Sequence, residues 1–78
     1  MLQKKEKVVI TFRTTTDAMA METQCKAQGV SGRLIPVPGE ITADCGLAWC
    51  AEPDREDTLR SLMADAGIPF QGVFRLML

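Results

Sequence analysis

The period of the hydrophobic pattern changes along the chain in the order strand, helix, strand, strand, helix, strand, and this order leaves few folds open. Apolar or alternating runs typical of strands occupy residues 6–12, 33–37, 46–51 and 70–78. Helical spacing connects Ala18, Met21 and Cys25 in one segment and Leu59, Leu62, Met63 and Ala66 in another. The order predicts an α+β fold, the ferredoxin-like βαββαβ plait, with a four-stranded antiparallel sheet and two helices on one face. Right-handed crossovers predict the strand order 4-1-3-2.

Residues with strong terminal preferences mark the predicted helices. Thr14, followed by Asp17, predicts the start of the first helix, and Gly29 predicts its end. The second helix is predicted to start at Asp54. Because Pro36 has no N–H group, we expect the second strand to lie at an edge of the sheet or to end there.

Length and charge limit the domain count and the partners. The chain has 78 residues, 46% of them apolar and 24% charged, which predicts one folded domain over residues 1–78. A domain of this size has a thin core, so we expect self-association, most simply as a homodimer. The net charge is −1 and no cluster of Lys and Arg stands out, so no nucleic-acid partner is expected.

The distribution of apolar residues predicts a location. No apolar run has the length of a membrane span, and the first residues do not resemble a secretory signal. We therefore expect no membrane partner and a cytoplasmic location, with Cys25, Cys45 and Cys50 as reduced thiols.

The absence of histidine and tyrosine narrows the possible chemistry. It excludes Ser–His and Cys–His catalysis and histidine metal ligands, and leaves thiols, carboxylates, lysine and arginine. The spacing of the three cysteines matches neither a Cys-X-X-Cys pair nor a zinc pattern, so neither a metal nor a cofactor is predicted. A carrier or accessory protein is favoured over a stand-alone enzyme.

The plait topology predicts a particular environment for Cys45. The loop before the third strand and the N-terminus of the first helix share one end of the domain, so Cys45 should lie close to the chain that leaves Phe12. A helix N-terminus favours an anion, and cysteines placed there are often activated. The predicted thiolate-stabilising residues are Arg13, Thr14, Thr15 and Thr16. Gly46 would leave room beside the sulfur, whereas the alternative interpretation makes Cys45 a small packed residue.

The remaining cysteines are assigned to other surfaces. Cys25 falls on the packed face of the first helix. Cys50 has the opposite strand parity to Cys45 and is predicted on the sheet face without helices. The residues predicted on that face are Val9, Thr11, Ala48, Cys50, Val73, Arg75 and Met77. So apolar a surface predicts a homodimer, formed through that face or through the edge strands.

The segment 32–48, with GRLIPVP at residues 32–38 and CGLA at residues 45–48, resembles the selenium/sulfur (Se/S) carrier-like family. Phe12, Thr15 and the run of residues 17–19 are similar to the opening of that family, so the resemblance spans nearly the whole chain. It implies a small domain that carries sulfur or selenium on the cysteine of its Cys-Gly pair, here Cys45. Gly39 and Cys50 stand where such proteins often have basic residues, which leaves Arg13 and the helix N-terminus to supply positive charge.

Two functions from different classes fit these observations. In the first, Cys45 accepts sulfur or selenium from a donor protein, holds it as a persulfide or perselenide, and passes it to an acceptor protein. This role needs an exposed, activated thiol. In the second, the domain is a non-catalytic plait module that homodimerises or senses a ligand.

Overall fold

The computed structural model describes residues 4–78, so the first three residues of the predicted domain lie outside the described part. The elements are β1 (Glu6–Thr11), α1 (Thr15–Gln28), β2 (Arg33–Pro36), β3 (Leu47–Ala51), a 3-10 turn (Pro53–Arg55), α2 (Glu56–Ala66) and β4 (Gly72–Met77). The sheet order is β2-β3-β1-β4, and each neighbouring pair is antiparallel. The predicted α+β plait and its strand order are confirmed, with β2 and β4 at the two edges.

Local signals in the sequence set the ends of the helices. The Thr14 hydroxyl accepts a hydrogen bond from the Asp17 N–H at 3.1 Å and caps α1. Gly29 ends α1 in the left-handed conformation, with φ 69°. The predicted start of the second helix needs a correction, because Asp54 lies in the 3-10 turn and α2 begins at Glu56.

The core lies between the helices and one face of the sheet. From the sheet, Val8, Ile10 and Trp49 are buried there; α1 contributes Ala18, Met21 and Cys25, and α2 contributes Leu59, Leu62 and Met63. The predicted apolar stripe of α2 is wrong at Ala66, which is exposed at the last helical position. The chain reverses at Gly67, the N–H of Ile68 donates to Met63 O at 2.9 Å, and Ile68 joins the core instead.

The pairing of β4 with β1 decides which side chains share a face. Val8 pairs with Arg75 and Val9 pairs with Phe74. Since directly opposite residues lie on the same side of an antiparallel pair, Arg75 lies on the helix side with Val8. Its guanidinium accordingly donates to Glu56 in α2, with Nη2 to Oε1 at 3.1 Å.

The sheet face without helices, called the open face below, therefore differs from the prediction. The register places ten residues on it, namely Lys7, Val9, Thr11, Arg33, Ile35, Ala48, Cys50, Gly72, Phe74 and Leu76. The predicted members Val73, Arg75 and Met77 are wrong, because they lie on the helix side. Both parities of β4 are apolar in sequence, so only the pairing with β1 distinguishes them.

The centre of the open face is already covered within one chain. Val9 and Ala48 are 0% exposed, and Cys50 is 5% exposed. The Phe74 ring covers Gly72, since a Cβ at Gly72 would lie 2.7 Å from the ring atom Cε1. The expectation of a broad apolar surface open to water therefore holds only near the rim, where Phe74 is 38% exposed.

Candidate functional site

Long-range hydrogen bonds hold Cys45 at the end of the domain where β1 leads into α1. The Cys45 N–H donates to Phe12 O at 3.2 Å. Next to it, the Asp44 N–H donates to the side-chain oxygen of Gln71 at 3.0 Å, and the Gln71 N–H donates to Thr11 O at 2.7 Å. The β2–β3 loop, the start of α1 and the turn before β4 therefore meet at this end.

Two polar groups contact the sulfur atom of Cys45. The Leu47 N–H donates to Sγ at 3.4 Å, and Thr15 Oγ1 lies 3.7 Å from Sγ. Thr15 is the first residue of α1, so its hydroxyl approaches the sulfur from the positive end of the helix. Hydrogen bonds to the charged form of a group favour that form. The arrangement thus suits a sulfur atom that carries negative charge.

The predicted thiolate-stabilising residues do not all reach the sulfur. Among them, only Thr15 contacts Sγ in the described part of the chain. The Thr14 hydroxyl is occupied as the cap of α1. Thr16 and Arg13 are exposed, and neither side chain forms a hydrogen bond or ion pair within residues 4–78. Arg13 nevertheless places a mobile positive charge next to the start of α1.

The sequence did not predict that the Leu47 N–H donates a hydrogen bond to the sulfur. Backbone donors leave no mark on side-chain patterns. The signal that could have revealed it is the spacing of two residues between the sulfur and the donor, which is common when a side chain accepts from its own local backbone.

The exposure of the sulfur differs from what the carrier hypothesis assumed. Cys45 is 4% exposed and belongs to the core cluster, whereas its neighbours Gly46 and Thr15 are exposed. The thiol therefore lies just below the surface and not on it. The reason is that the Cys45 side chain belongs to the core cluster on the helix side of the sheet, together with Trp49.

Two acidic residues lie beside the site along the chain. Asp44 precedes Cys45 in the chain and is exposed, and Asp17 lies in the first turn of α1. Asp17 is favoured there by the same helix end that would favour a thiolate. The polar groups that contact the sulfur are therefore the Leu47 N–H and the Thr15 hydroxyl.

The other two cysteines have different surroundings. Cys25 is 0% exposed among apolar side chains, and this burial raises the pKa of its thiol from 9.0 to about 11. Its predicted place in the core is confirmed. Cys50 lies on the open face, where burial raises its thiol pKa while the charges of Arg33 and Lys7 oppose the rise. All three cysteines are free thiols.

Other kinds of site would need a metal-binding cluster, a pocket or a membrane-spanning helix. Residues 4–78 contain no group of three metal-ligating side chains close enough to hold an ion, and no enclosed pocket. None of the helices in this part of the chain has the length and apolar content needed to cross a membrane.

Comparison with known families adds an independent observation. The family model described as "Putative Se/S carrier protein-like" matches residues 7–75. The chain belongs to this family. The matched range includes Thr15, Cys45 and Gly46, and it runs from β1 into β4. The searches of curated proteins and of solved structures found no match.

Proposed function

We propose that the protein carries sulfur or selenium on Cys45, as a persulfide or perselenide, between a donor protein and an acceptor protein. The observation that carries the proposal is the pair of polar groups on Sγ: the Leu47 N–H donates at 3.4 Å, and the Thr15 hydroxyl, which can donate to a thiolate, lies at 3.7 Å. Membership of the Se/S carrier-like family supports the same conclusion. Such a role fits a reducing, cytoplasmic location, where free thiols persist.

The transfer step balances without an added oxidant. The Cys45 thiolate attacks the terminal sulfur of a donor persulfide, a new S–S bond forms, and the donor thiolate leaves with the electrons of the broken bond. Attack on a terminal selenium bound to a donor thiol gives a perselenide in the same way. An acceptor nucleophile then takes the terminal atom, and Cys45 leaves as a thiolate stabilised by its two donors.

Access to the sulfur is part of the proposal. Because Cys45 is 4% exposed, a donor reaches Sγ only if the covering backbone shifts. The loop between β2 and β3 is the segment that would move, because Cys45 lies at its end. The movement would break three hydrogen bonds: from the Cys45 N–H to Phe12 O, from the Asp44 N–H to the Gln71 side chain, and from the Val37 N–H to Gly46 O. Donor docking would open this loop and so speed loading by proteins that fit it over loading by a small sulfur donor.

Mass spectrometry of the protein treated with inorganic polysulfide tests the proposal. We expect the wild type and Cys50→Ser to gain one sulfur atom that peptide mapping places on Cys45, and Cys45→Ser to gain none. Cys50→Ser is the matched control because it removes a thiol on the other face of β3. Loading of Cys45→Ser to the wild-type level, or no loading of the wild type, would overturn the proposal.

A second candidate is a non-catalytic homodimerising or ligand-sensing module, favoured by the burial of Cys45 in the core cluster. On this hypothesis Cys45 contributes packing alone. Cys45→Ser separates the candidates, because a carrier loses sulfur loading while it keeps its fold and assembly. A module shows no loading in either form.

A further inference from the structure

We propose that β4 pairs antiparallel with β4 of a second copy, with Arg75 on the two-fold axis, so that two sheets join into one. The inference specifies the surface of the homodimer, and it does not depend on sulfur transfer by Cys45.

The two edges of the sheet are not equally open to pairing. β2 has four residues and ends in Pro36, which has no N–H to offer a neighbouring strand. β4 has six residues, Gly72–Met77, and contains no proline. A free edge of this length is a template for another strand unless something blocks it. β4 is therefore the edge strand better suited to pair with a strand of another chain.

The hydrogen-bond pattern shows which groups of β4 are available. Lys5 and Leu78 exchange two backbone hydrogen bonds, each of 2.9 Å. Such pairs recur at every second residue of an antiparallel ladder. The N–H and C=O groups of Val73, Arg75 and Met77 consequently point away from β1. Because β4 is an edge strand, no strand of residues 4–78 pairs with this side of it.

The residues of β4 are self-complementary about Arg75. The run from Val73 to Met77 reads Val-Phe-Arg-Leu-Met, with two apolar residues on each side of the charge. Pairing with the axis at Arg75 sets Phe74 against Leu76 of the partner subunit on the open face. Val73 then faces Met77 of the partner subunit on the helix side. Phe74 and Met77 are 38% and 55% exposed in one chain, and the pairing covers both.

Charge balance favours a second copy as the occupant. Two arginines opposite each other would repel if they were free. Each Arg75 is held instead by Glu56 at 3.1 Å and by Glu6 at 3.3 Å. Hydrogen bonds from Arg60 and Arg75 lower the pKa of Glu56, so its carboxylate stays ionised. The charge of Arg75 is thus balanced within its own chain. A partner strand therefore needs no acidic residue opposite Arg75, and β4 of a second copy can pair there.

The open face is a weaker candidate for the same contact. Val9, Ala48 and Cys50 are already buried in the single chain. Stacking two open faces would therefore bury little apolar area beyond the rim.

Disulfide trapping tests the register directly. In a hydrogen-bonded pair the two Cα atoms lie about 5.5 Å apart, which is within the range of a disulfide. Under mild oxidation we expect Arg75→Cys to form a covalent dimer about tenfold faster than Asp65→Cys, whose new thiol is equally exposed but lies on α2. Wild type should form none, because its three thiols are buried. Equal rates for the two variants would overturn the inference.

Arg75→Cys also loses the ion pairs of Arg75, so a second test leaves Arg75 in place. It compares two variants of Met77 by sedimentation. Met77→Pro removes an N–H that points away from β1, so the fold should be retained while two hydrogen bonds between subunits are lost. We expect the dissociation constant of its dimer to be about tenfold higher than that of Met77→Thr, which keeps the N–H, so that on dilution Met77→Pro becomes monomeric at about tenfold higher protein concentration. A monomeric wild type, or equal dimers for both variants at unchanged circular dichroism, would contradict the proposal.

Cys45→Ser distinguishes this inference from the proposed function. We expect this variant to dimerise as the wild type does. A wild type that is monomeric but loads sulfur on Cys45 would overturn the dimer alone, and a dimeric wild type that never loads sulfur would overturn the carrier alone.

Discussion

Two glycines near opposite ends of the β2–β3 hairpin differ in what the fold requires of them. Gly32 has a φ of 147°, and a Cβ there would lie 2.6 Å from the indole atom Cε2 of Trp49. Gly46 does not have a positive φ, and a Cβ there would have no atom within 4 Å. The first glycine is needed for packing. The second, next to Cys45, is not, so its small size matters only to what approaches the sulfur.

The end of the hairpin near Trp49 is closely packed, whereas the end near Gly46 and Cys45 has open space beside the chain. At the Trp49 end the indole is 2% exposed, and its Nε1 has no hydrogen-bond partner within the described residues. At the Cys45 end a buried sulfur lies beside an exposed glycine and an exposed threonine. Close packing opposes substitution at the first end, whereas a side chain at Gly46 would have open space at the second.

Gly32→Ala carries the largest expected effect and tests this contrast first. The new methyl group would overlap the Trp49 ring, and φ would be strained, so we expect about 3 kcal/mol less stability in urea unfolding. Gly46→Ala is the matched control and should lose less than about 1 kcal/mol. Similar losses for the two variants would show that the glycines do not differ in this way.

The burial of the Cys25 thiol should make the stability of the protein depend on pH. The unfolded chain releases this proton near pH 9.0, but the folded chain holds it up to about pH 11. Stabilisation by the protonated thiol is complete below pH 9 and is lost as the pH rises toward 11, by up to about 2.7 kcal/mol.

Denaturation at pH 8 and pH 10.5 in the wild type and in Cys25→Ala measures this effect. We expect a steeper loss in the wild type, since the variant has no thiol to ionise at that position. Identical slopes would mean that burial does not hold the proton on Cys25.

Thr15→Val tests the donor at the opposite end of α1 from Cys25. Removal of the hydroxyl leaves only the Leu47 N–H on Sγ, so the thiolate should lose about 1 kcal/mol of stabilisation. We expect alkylation of Cys45 by iodoacetamide at pH 7 to slow about fivefold. Thr16→Val is the control, because Thr16 does not contact the sulfur. Equal rates in the two variants would remove Thr15 from the site.

Arg13→Gln is expected to have the smallest effect. An exposed charge contributes about 0.5 kcal/mol or less, and salt screens it. Alkylation of Cys45 should slow about twofold at low salt and reach the wild-type rate in 1 M salt, at about 3 Å screening length. A difference that persists at high salt would require a direct contact between Arg13 and the sulfur.

Much of the fold followed from local signals. The cap at Thr14 and the stop at Gly29 were predictable because the groups that satisfy a helix end lie within a few residues of it. The start of α2 was predicted two residues too early, since Pro53 and Asp54 suit a 3-10 turn as well as a helix start. Ala66 was misplaced because the helix ends there and Ile68 takes the buried position.

The candidate site was predictable only in outline. Topology placed Cys45 near the start of α1, and the hydrogen bond from Cys45 to Phe12 shows how that place is kept. Neither the depth of the sulfur nor its contact with the Leu47 N–H could be read from residue types. Both depend on how β3 turns relative to the helices.

The sequence by itself determined the order of strands and helices, most helix ends and the limit that Pro36 sets on β2, because each depends on near neighbours in the chain. Only the tertiary structure decided which side of β4 faces the helices and which of four nearby residues reaches Cys45. These depend on pairing between residues far apart in sequence, and both faces of β4 are apolar enough to allow either outcome.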